Sequence, residues 1–246
     1  MTTLGATPPV SAPWHVRSGC PRVIVGTLWP DVHTLDDVGA TSRVDAALDV
    51  GLHAFDTAPL YGFGRAEVLL GAALRGRRDR ALLLGKVGLR WDGEHGEVLF
   101  RARDEDDREL AVRKDSRPSS VRWEVDQSLM RLATDRLDLV QVHQRDRLVP
   151  IAETLGALLE LRAEGKVRAI GVSNFDAEDS REAARVLGAI GLASNQLEYS
   201  ALRRGAERYV APTLCELGVA LLAYSPTARG LLGGLSLIHI SEPTRL

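Results

Sequence analysis

The chain lacks the features of a membrane-spanning, nucleic-acid-binding or disulfide-stabilised protein. None of its 246 residues lie in an apolar run long enough to cross a bilayer. The formal net charge of −2 offers no basic surface for nucleic acid. The two cysteines, Cys20 and Cys215, are far apart and lack metal-site spacing, so a reducing compartment is expected. These absences predict a soluble, cytoplasmic protein with no nucleic-acid or membrane partner, and they leave the oligomeric state open.

Three further signals are missing. Residues 1–14 have neither the basic nor the apolar region of a signal peptide, and their three prolines predict a flexible arm. No Gly-x-Gly-x-x-Gly fingerprint is present, which argues against a Rossmann dinucleotide site. The histidines show no metal-ligand spacing, so no metal site is predicted.

From residue 23 onward, β-rich runs alternate with amphipathic helices, which predicts a parallel α/β fold. Seven strands are predicted, at residues 23–27, 53–57, 81–86, 137–143, 167–173, 192–198 and 220–225. Six helices are predicted, at residues 42–50, 66–74, 119–132, 150–164, 177–187 and 205–217. Seven strands fit either a (β/α)8 TIM barrel that lacks one strand or an open, doubly wound sheet. The pattern alone does not choose between these two folds.

The segment of residues 91–118 breaks this alternation. Two apolar runs, VLFRA and ELAVRK, flank the acidic sequence RDEDDR, which predicts a hairpin with a charged tip. A long connection after a barrel strand is either a lid or wall of the substrate site, or a solvated excursion.

Four polar residues end predicted strands or follow them closely: Asp56, Tyr61, Lys86 and His143. The carboxyl ends of parallel barrel strands converge on one mouth, so these side chains are expected to meet there. Brought together there, a carboxylate, a phenol, an ammonium and an imidazole would make a proton-transfer site, because a neighbouring ammonium lowers the pKa of a tyrosine and makes it a better proton donor. Asp56 would keep Lys86 charged, and His143 would offer a hydrogen-bond donor.

Each of the four residues also has a purely structural interpretation. Asp56 would serve as a turn or helix-cap residue, Tyr61 as a half-buried aromatic, and His143 as a satisfied structural histidine. Lys86 would be an ordinary surface lysine. Only three of the 31 basic residues are lysines, however, and this scarcity favours a specific use of Lys86.

The last twelve residues, LSLIHISEPTRL, begin no recognisable eighth strand–helix unit. They resemble the translation of a sequencing-library adapter, so residues 235–246 are expected to be a non-native tail. Residues 15–234 would then be a barrel without its C-terminal part, and its first and seventh strands would stay unpaired. Resequencing the source locus across residues 234 and 235 tests this expectation.

Five motifs, in this order, resemble the aldo-keto reductase family: AFDTAPLYGFGRAEVLLGAAL, LVQVH, EGKVRAIGVSNF, SNQLEYS and AYSPTARGLL. The resemblance implies a closed (β/α)8 barrel, carbonyl reduction with NADPH, and a catalytic tetrad of Asp56, Tyr61, Lys86 and His143. It also implies that the residues that read the 2′-phosphate of NADP follow the eighth strand.

The matched motifs also imply the cofactor-binding residues. Ser173, Asn174 and Gln196 would pair with the nicotinamide carboxamide, and Tyr224 would stack on the ring. The remaining cofactor residues implied are Gly26, Thr27, Asp56, Ser225, Pro226 and Thr227. Thr227 departs from the leucine that is more usual in this loop.

Three functional hypotheses follow. The first is an NADP(H)-dependent reductase of aldehydes, ketones or sugar-like carbonyls. The second is a cofactor-binding regulatory protein of the same fold, like the potassium-channel beta subunits. The third is an inactive fragment, for which a thermal melt without a cooperative transition would be evidence. Fold alone does not fix the substrate.

Overall fold

The computed structural model describes residues 14–234. The expected arm therefore lies outside the described residues except for Trp14, which is buried and begins the short helix α1 (Trp14–Arg17). The expected non-native tail, residues 235–246, also lies outside them.

Seven parallel strands form one sheet, and all seven predicted strands are confirmed within it. They are β1 (Val25–Gly26), β2 (Ala54–Asp56), β3 (Leu82–Val87), β7 (Leu139–Val142), β8 (Ile170–Ser173), β9 (Ser194–Glu198) and β10 (Ala220–Tyr224). The strands lie side by side in chain order. A doubly wound sheet reverses its order at a switch point, whereas barrel strands follow one another in order. The fold is therefore an incomplete (β/α)8 barrel, and within the described residues β1 and β10 are not paired with each other.

Helices connect these strands. They are α2 (Asp37–Asp49), α3 (Arg65–Ala73), α4 (Pro118–Arg131), α5 (Ile151–Ala163), α6 (Ala177–Leu187), α7 (Gly205–Tyr209) and α8 (Ala211–Leu217). Local chemistry fixes several ends. Asp36 caps α2 by accepting from the amide of Gly39 at 2.7 Å. Pro118 occupies the first turn of α4, where its missing N–H costs nothing. Within residues 14–234, no helix has the length and apolar character needed to cross a membrane.

The long connection between β3 and α4 folds as the predicted hairpin. Strands β5 (Glu97–Arg103) and β6 (Glu109–Lys114) pair antiparallel, and β6 also pairs with the two-residue strand β4 (Leu89–Arg90). The hairpin buries Leu89 and Val112 against Leu60, with Phe63 and Trp91 packed beside them. It is therefore docked on the barrel and is not a solvated excursion.

Burial is concentrated between the sheet and its helices. The main core cluster includes Phe55 from β2, Leu83 from β3 and Leu158 from α5. At the amino ends of the strands, the buried carboxylate of Asp138 accepts from the amide of Leu83 at 2.9 Å and from Arg78 at 2.7 Å. The two ends of the barrel thus differ, because an ion-pair network lies at the amino end and the predicted site at the carboxyl end.

Candidate active site

The four predicted catalytic residues meet at the carboxyl end of the sheet. Asp56 is the last residue of β2, and Lys86 lies near the end of β3. His143 directly follows β7, and its amide donates to the carbonyl of Val87 at 2.8 Å. Tyr61 lies in the loop between β2 and α3, a loop held in place by apolar clusters on both sides.

Lys86 is the centre of the group. Its side chain is 1% exposed, and its ammonium donates to Asp56 Oδ2 at 2.5 Å. The same Nζ lies 3.2 Å from the Tyr61 hydroxyl and 3.3 Å from the carbonyl oxygen of Thr57. A buried ammonium is stable only when it is paired, and Asp56 provides that pairing. Burial acts to lower the pKa of Lys86, but the Asp56 carboxylate and Tyr61 outweigh it, and the net direction is upward.

The expectation that Lys86 lowers the pKa of Tyr61 is wrong for the net shift, which is upward. The Lys86 ammonium does act to lower it, as predicted, but burial is the larger effect and raises the pKa above its ordinary value. The Asp56 carboxylate adds to this rise. The reason is that desolvation penalises the phenolate, an effect that the sequence pattern does not display. Tyr61 is therefore firmly protonated at neutral pH.

His143 is neutral at physiological pH. Burial, followed by the nearby Lys86 ammonium, lowers the pKa of its imidazole to about 3. Its ring meets the Tyr61 ring edge to face, with the centroids 6.3 Å apart. A neutral imidazole beside the tyrosine ring can donate one hydrogen bond without adding charge to the site.

A second polar group adjoins the tetrad. Gln196 of β9 donates from Nε2 to Asp56 Oδ1 at 2.8 Å. Ser173 ends β8 and donates to the carbonyl of Gln196 at 2.9 Å. Asn174 donates to the carbonyl of His143 and to Ser173 Oγ, both at 3.1 Å, and accepts from the Tyr224 hydroxyl at 3.0 Å. These four predicted cofactor residues therefore form one hydrogen-bonded wall beside the tetrad.

The other predicted cofactor residues lie at the two edges of the sheet. Gly26 is exposed in β1, and the buried Thr27 donates from its amide to the carbonyl of Asp56 at 2.9 Å. Ser225 follows β10 with a φ of 52°, a left-handed conformation that is uncommon for serine. Pro226 and Thr227 are exposed after it. Gly26 and Thr27 thus adjoin β2 and Asp56, whereas the loop after β10 lies at the opposite edge.

The donor set fits a nicotinamide group. A carboxamide has two donors and one acceptor, and the amides of Asn174 and Gln196 with the Ser173 hydroxyl are partners of both kinds. A bound carboxamide would replace some of the hydrogen bonds that these groups make with one another and with their neighbours. Tyr224 adds an aromatic ring that is only partly buried at this wall. Within residues 14–234, no cluster of three or more His, Cys, Asp or Glu side chains could hold a metal ion.

Sequence reasoning missed one buried group near the site, Glu124 of α4. Its Oε1 accepts from the amide of Gly88 at 2.8 Å, two residues after Lys86. A signal was available, because Val121 and Val125 predict the buried face of α4 and Glu124 lies on that same face.

Comparisons with known proteins agree with this geometry. Residues 22–241 match the family model described as "Aldo/keto reductase family". The NADH-specific methylglyoxal reductase of Escherichia coli (strain K12) is 37% identical over 188 residues, which are 75% of this chain and 55% of that protein. The solved structure of the glycerol dehydrogenase AKR11B4 from Gluconobacter oxydans has a TM-score of 0.74 at 37% identity, and the match covers 88% of this chain and 63% of that one.

A second solved structure contains a cofactor. The aldo/keto reductase from Klebsiella pneumoniae, crystallised with NADP and acetate, has a TM-score of 0.69 at 30% identity over 90% of this chain and 71% of that one. The chain spans 55% of the length of the curated methylglyoxal reductase and 63% of the glycerol dehydrogenase chain. The family match, the strand order and the tetrad geometry together establish that the chain belongs to the aldo/keto reductase family.

Proposed function

We propose that this protein is an NADPH-dependent reductase of aldehydes, ketones or sugar-like carbonyls, with Tyr61 as the proton donor. The observation that carries the proposal is the position of Lys86 Nζ, 2.5 Å from Asp56 Oδ2 and 3.2 Å from the Tyr61 hydroxyl. A charged donor therefore lies against the phenol that, in this proposal, releases the proton.

Tyr61 is the acid in this mechanism. It is protonated at neutral pH, because burial raises its pKa. As the Tyr61 hydroxyl gives its proton to the carbonyl oxygen, the Lys86 ammonium stabilises the negative charge that remains on the phenolate. Asp56 holds that ammonium in place and balances its charge.

His143 orients the substrate oxygen. Its imidazole is neutral, because burial and Lys86 lower its pKa to about 3. A neutral imidazole donates to the carbonyl oxygen without competing with Tyr61 as an acid. One such donor typically contributes about 3 kcal/mol to stabilising a developing oxyanion.

The wall of Ser173, Asn174, Gln196 and Tyr224 would hold the nicotinamide. The bound cofactor supplies the hydride that the carbonyl carbon requires. Gly26, Thr27, Ser225, Pro226 and Thr227 would contact the rest of the cofactor from the two edges of the sheet. NADP in the Klebsiella structure supports NADPH, whereas the Escherichia coli relative is named as NADH-specific, so both cofactors belong in the assay.

The substrate class also rests on these relatives. One relative is named for methylglyoxal, a small dicarbonyl, and one for glycerol, a polyol. Small aldehydes and sugar-like carbonyls share the oxygen-rich character of both. The partner proposed here is accordingly a small-molecule carbonyl, or the corresponding alcohol in the reverse direction.

The test is the replacement Tyr61→Phe in the protein expressed from its gene, assayed by oxidation of NADPH and NADH with a panel of aldehydes. General acid catalysis contributes about 100- to 10,000-fold, so a loss of that size in kcat is expected. Tyr209→Phe is the matched control, because Tyr209 is 68% exposed and far along the chain from the tetrad.

Full activity of the Tyr61→Phe protein would contradict the proposed mechanism. Tight NADPH binding without turnover of any carbonyl by the wild-type protein would instead support the cofactor-binding regulatory function.

A further inference from the structure

Glu124 is a buried carboxyl group that the reductase mechanism does not use. It lies on α4, 1% exposed, and its Oε1 accepts from the amide of Gly88 at 2.8 Å. Its second oxygen, Oε2, is buried and has no hydrogen-bond partner among residues 14–234. A buried carboxyl group with one unmatched oxygen carries a free-energy cost, so its presence at this position calls for an explanation.

The partner of Glu124 lies at a critical point of the backbone. Gly88 comes two residues after Lys86 and has a φ of 93°, which few residues other than glycine adopt. A Cβ at this position would come within 2.8 Å of Ser116 Oγ. The chain therefore makes a tight left-handed turn immediately after the strand that carries the ammonium.

Three hydrogen bonds fix this turn. The amide of Gly88 donates to Glu124, and its carbonyl accepts from the amide of Asp115 at 3.2 Å. The carbonyl of Val87, between Lys86 and Gly88, accepts from the amide of His143 at 2.8 Å. Glu124 provides the side-chain member of this set, and the same turn connects the backbones of two tetrad residues.

We propose that Glu124 is a positioning residue for the tetrad: its hydrogen bond to Gly88 fixes the end of β3 and thereby sets Lys86 against Tyr61. The proposal rests on the proposed reductase function, since it concerns the same tetrad. It assigns to Glu124 no contact with substrate or cofactor.

The surroundings of Glu124 indicate its charge state. Burial raises its pKa well above the usual range, and the carboxylates of Asp115 and Asp92 add to the rise. The amide of Gly88 and the guanidinium of Arg90 oppose it. The carboxyl group therefore keeps its proton at pH values where an exposed glutamate has lost it. Glutamine matches this neutral form in size and still presents an oxygen to Gly88.

Variants at position 124 can therefore separate the length of the side chain from its ability to accept a hydrogen bond. Glu124→Gln keeps both the reach and the acceptor oxygen. Glu124→Asp keeps the carboxyl group but is shorter by one methylene and does not reach Gly88. Glu124→Met keeps the length and removes the acceptor. Leu158→Ala, in the buried face of α5, is the control for a loss of stability elsewhere.

The readout is the NMR signal of tyrosine Cζ in protein labelled at that carbon. The chain has only four tyrosines, and the signal that disappears in Tyr61→Phe is that of Tyr61. This signal responds to the hydrogen bond and charge at the hydroxyl, and it requires no turnover. We expect it to shift in Glu124→Asp and Glu124→Met, and to keep its wild-type position in Glu124→Gln and Leu158→Ala.

Kinetics provide the second readout. A misplacement of about 1 Å caused by a remote substitution can cost about 100-fold in rate, so we expect kcat to fall 10- to 100-fold in Glu124→Asp. The KM for the carbonyl substrate should change little, and Glu124→Gln should restore kcat. If the wild-type protein reduces no carbonyl, the proposed function fails while the Cζ signal still tests the positioning role.

Three results would overturn the proposal. The first is an unchanged Tyr61 signal in folded Glu124→Asp. The second is a Glu124→Gln protein as impaired as Glu124→Asp, since the hydrogen bond would then not be the cause. The third is loss of cooperative folding in both Glu124→Asp and Glu124→Met with Glu124→Gln intact, since the bond would then serve global stability.

Discussion

The imidazole of His143 makes the stability of the protein depend on pH in a defined direction. Its pKa is about 3 in the folded protein against an ordinary 6.5. Below pH 6.5 the unfolded chain takes up a proton at this residue and the folded protein does not, so acid favours unfolding. The stabilising effect is complete above pH 6.5 and is lost progressively as the pH falls toward 3. One pKa unit corresponds to about 1.4 kcal/mol, so His143 should remove about 2 kcal/mol from the free energy of unfolding by pH 5.

Urea denaturation at pH 7 and pH 5 measures this effect. The wild-type protein should lose about 2 kcal/mol more than His143→Gln over this interval, because glutamine has no proton to gain. The other histidines are present in both proteins and cancel in the comparison. Equal losses in the two proteins would show that His143 titrates normally and would remove the argument for a neutral imidazole.

At the same scale, the convergence of Asp56, Tyr61, Lys86 and His143 was predictable from the sequence, but their pKa values were not. Asp56, Lys86 and His143 lie at or beside strand ends, and the strand ends of a parallel barrel converge whatever the intervening sequence. The pKa of Tyr61 depends instead on how completely surrounding residues exclude water, and no local pattern reports this. The burial of Glu124 follows from its place on the same helix face as Val121 and Val125, but its partner is a backbone amide that the sequence alone does not display.

Among the larger elements, the β5–β6 hairpin holds the loop that carries Tyr61. Val112 of β6 is fully buried against Leu60 and Leu89, and Phe63 packs edge to face on Trp91. Val112→Ala should therefore loosen both the hairpin and the loop of residues 58–64. The removal of two buried methyl groups should lower the free energy of local unfolding of the hairpin by about 1–3 kcal/mol. Hydrogen exchange should show faster exchange at amides of β5, β6 and this loop, with β8 and β9 unchanged.

Leu99→Ala is the matched control in the same hairpin. Leu99 of β5 is 37% exposed and does not belong to the buried cluster, so its truncation should leave the exchange of the Tyr61 loop at the wild-type rate. If Val112→Ala and Leu99→Ala behaved alike, the hairpin would have no special connection with that loop.

The elements themselves were predictable in type but less so in extent. The hairpin, the helix over residues 177–187 and all seven barrel strands agree with the sequence pattern. Strand β1 is shorter than the predicted residues 23–27, since only Val25 and Gly26 pair with β2. The predicted helix over residues 205–217 divides at Val210, just before Pro212, whose missing N–H cannot continue a helix. Helix α2 begins five residues before the prediction, because the Asp36 side chain caps it by accepting from the amide of Gly39.

Across the whole molecule, the Asp138 ion-pair network and the candidate active site lie at opposite ends of the barrel. At the amino end, the Asp138 carboxylate accepts hydrogen bonds from the amide of Leu83 and from the guanidinium groups of Arg78 and Arg168. Asp138→Ala would leave the buried amide of Leu83 without an acceptor. It would also remove the carboxylate that pairs with the Arg78 guanidinium, which would keep only its uncharged acceptors Thr134, Ala81 and Arg136. The expected cost to the free energy of unfolding is about 3 kcal/mol. We expect this loss in urea denaturation, with the tyrosine Cζ signal of Tyr61 unchanged.

Arg168→Ala provides the contrast. The Arg168 side chain is 57% exposed, and an exposed ion pair contributes about 0–1 kcal/mol. A small effect of Asp138→Ala, similar to that of Arg168→Ala, would show that the network does not stabilise the barrel. A shifted Tyr61 signal in Asp138→Ala would show that the two ends are coupled.

The strict chain order of the seven strands has a consequence for biosynthesis. Each strand after β1 lies against the barrel strand that was synthesised immediately before it. A strand leaving the ribosome therefore meets one partner that is already present, and its second partner follows with the next barrel strand to be translated. Because nascent domains fold from the N-terminal side, assembly can follow translation one strand–helix unit at a time. The chain order of the strands thus allows the sheet to grow in the direction of synthesis.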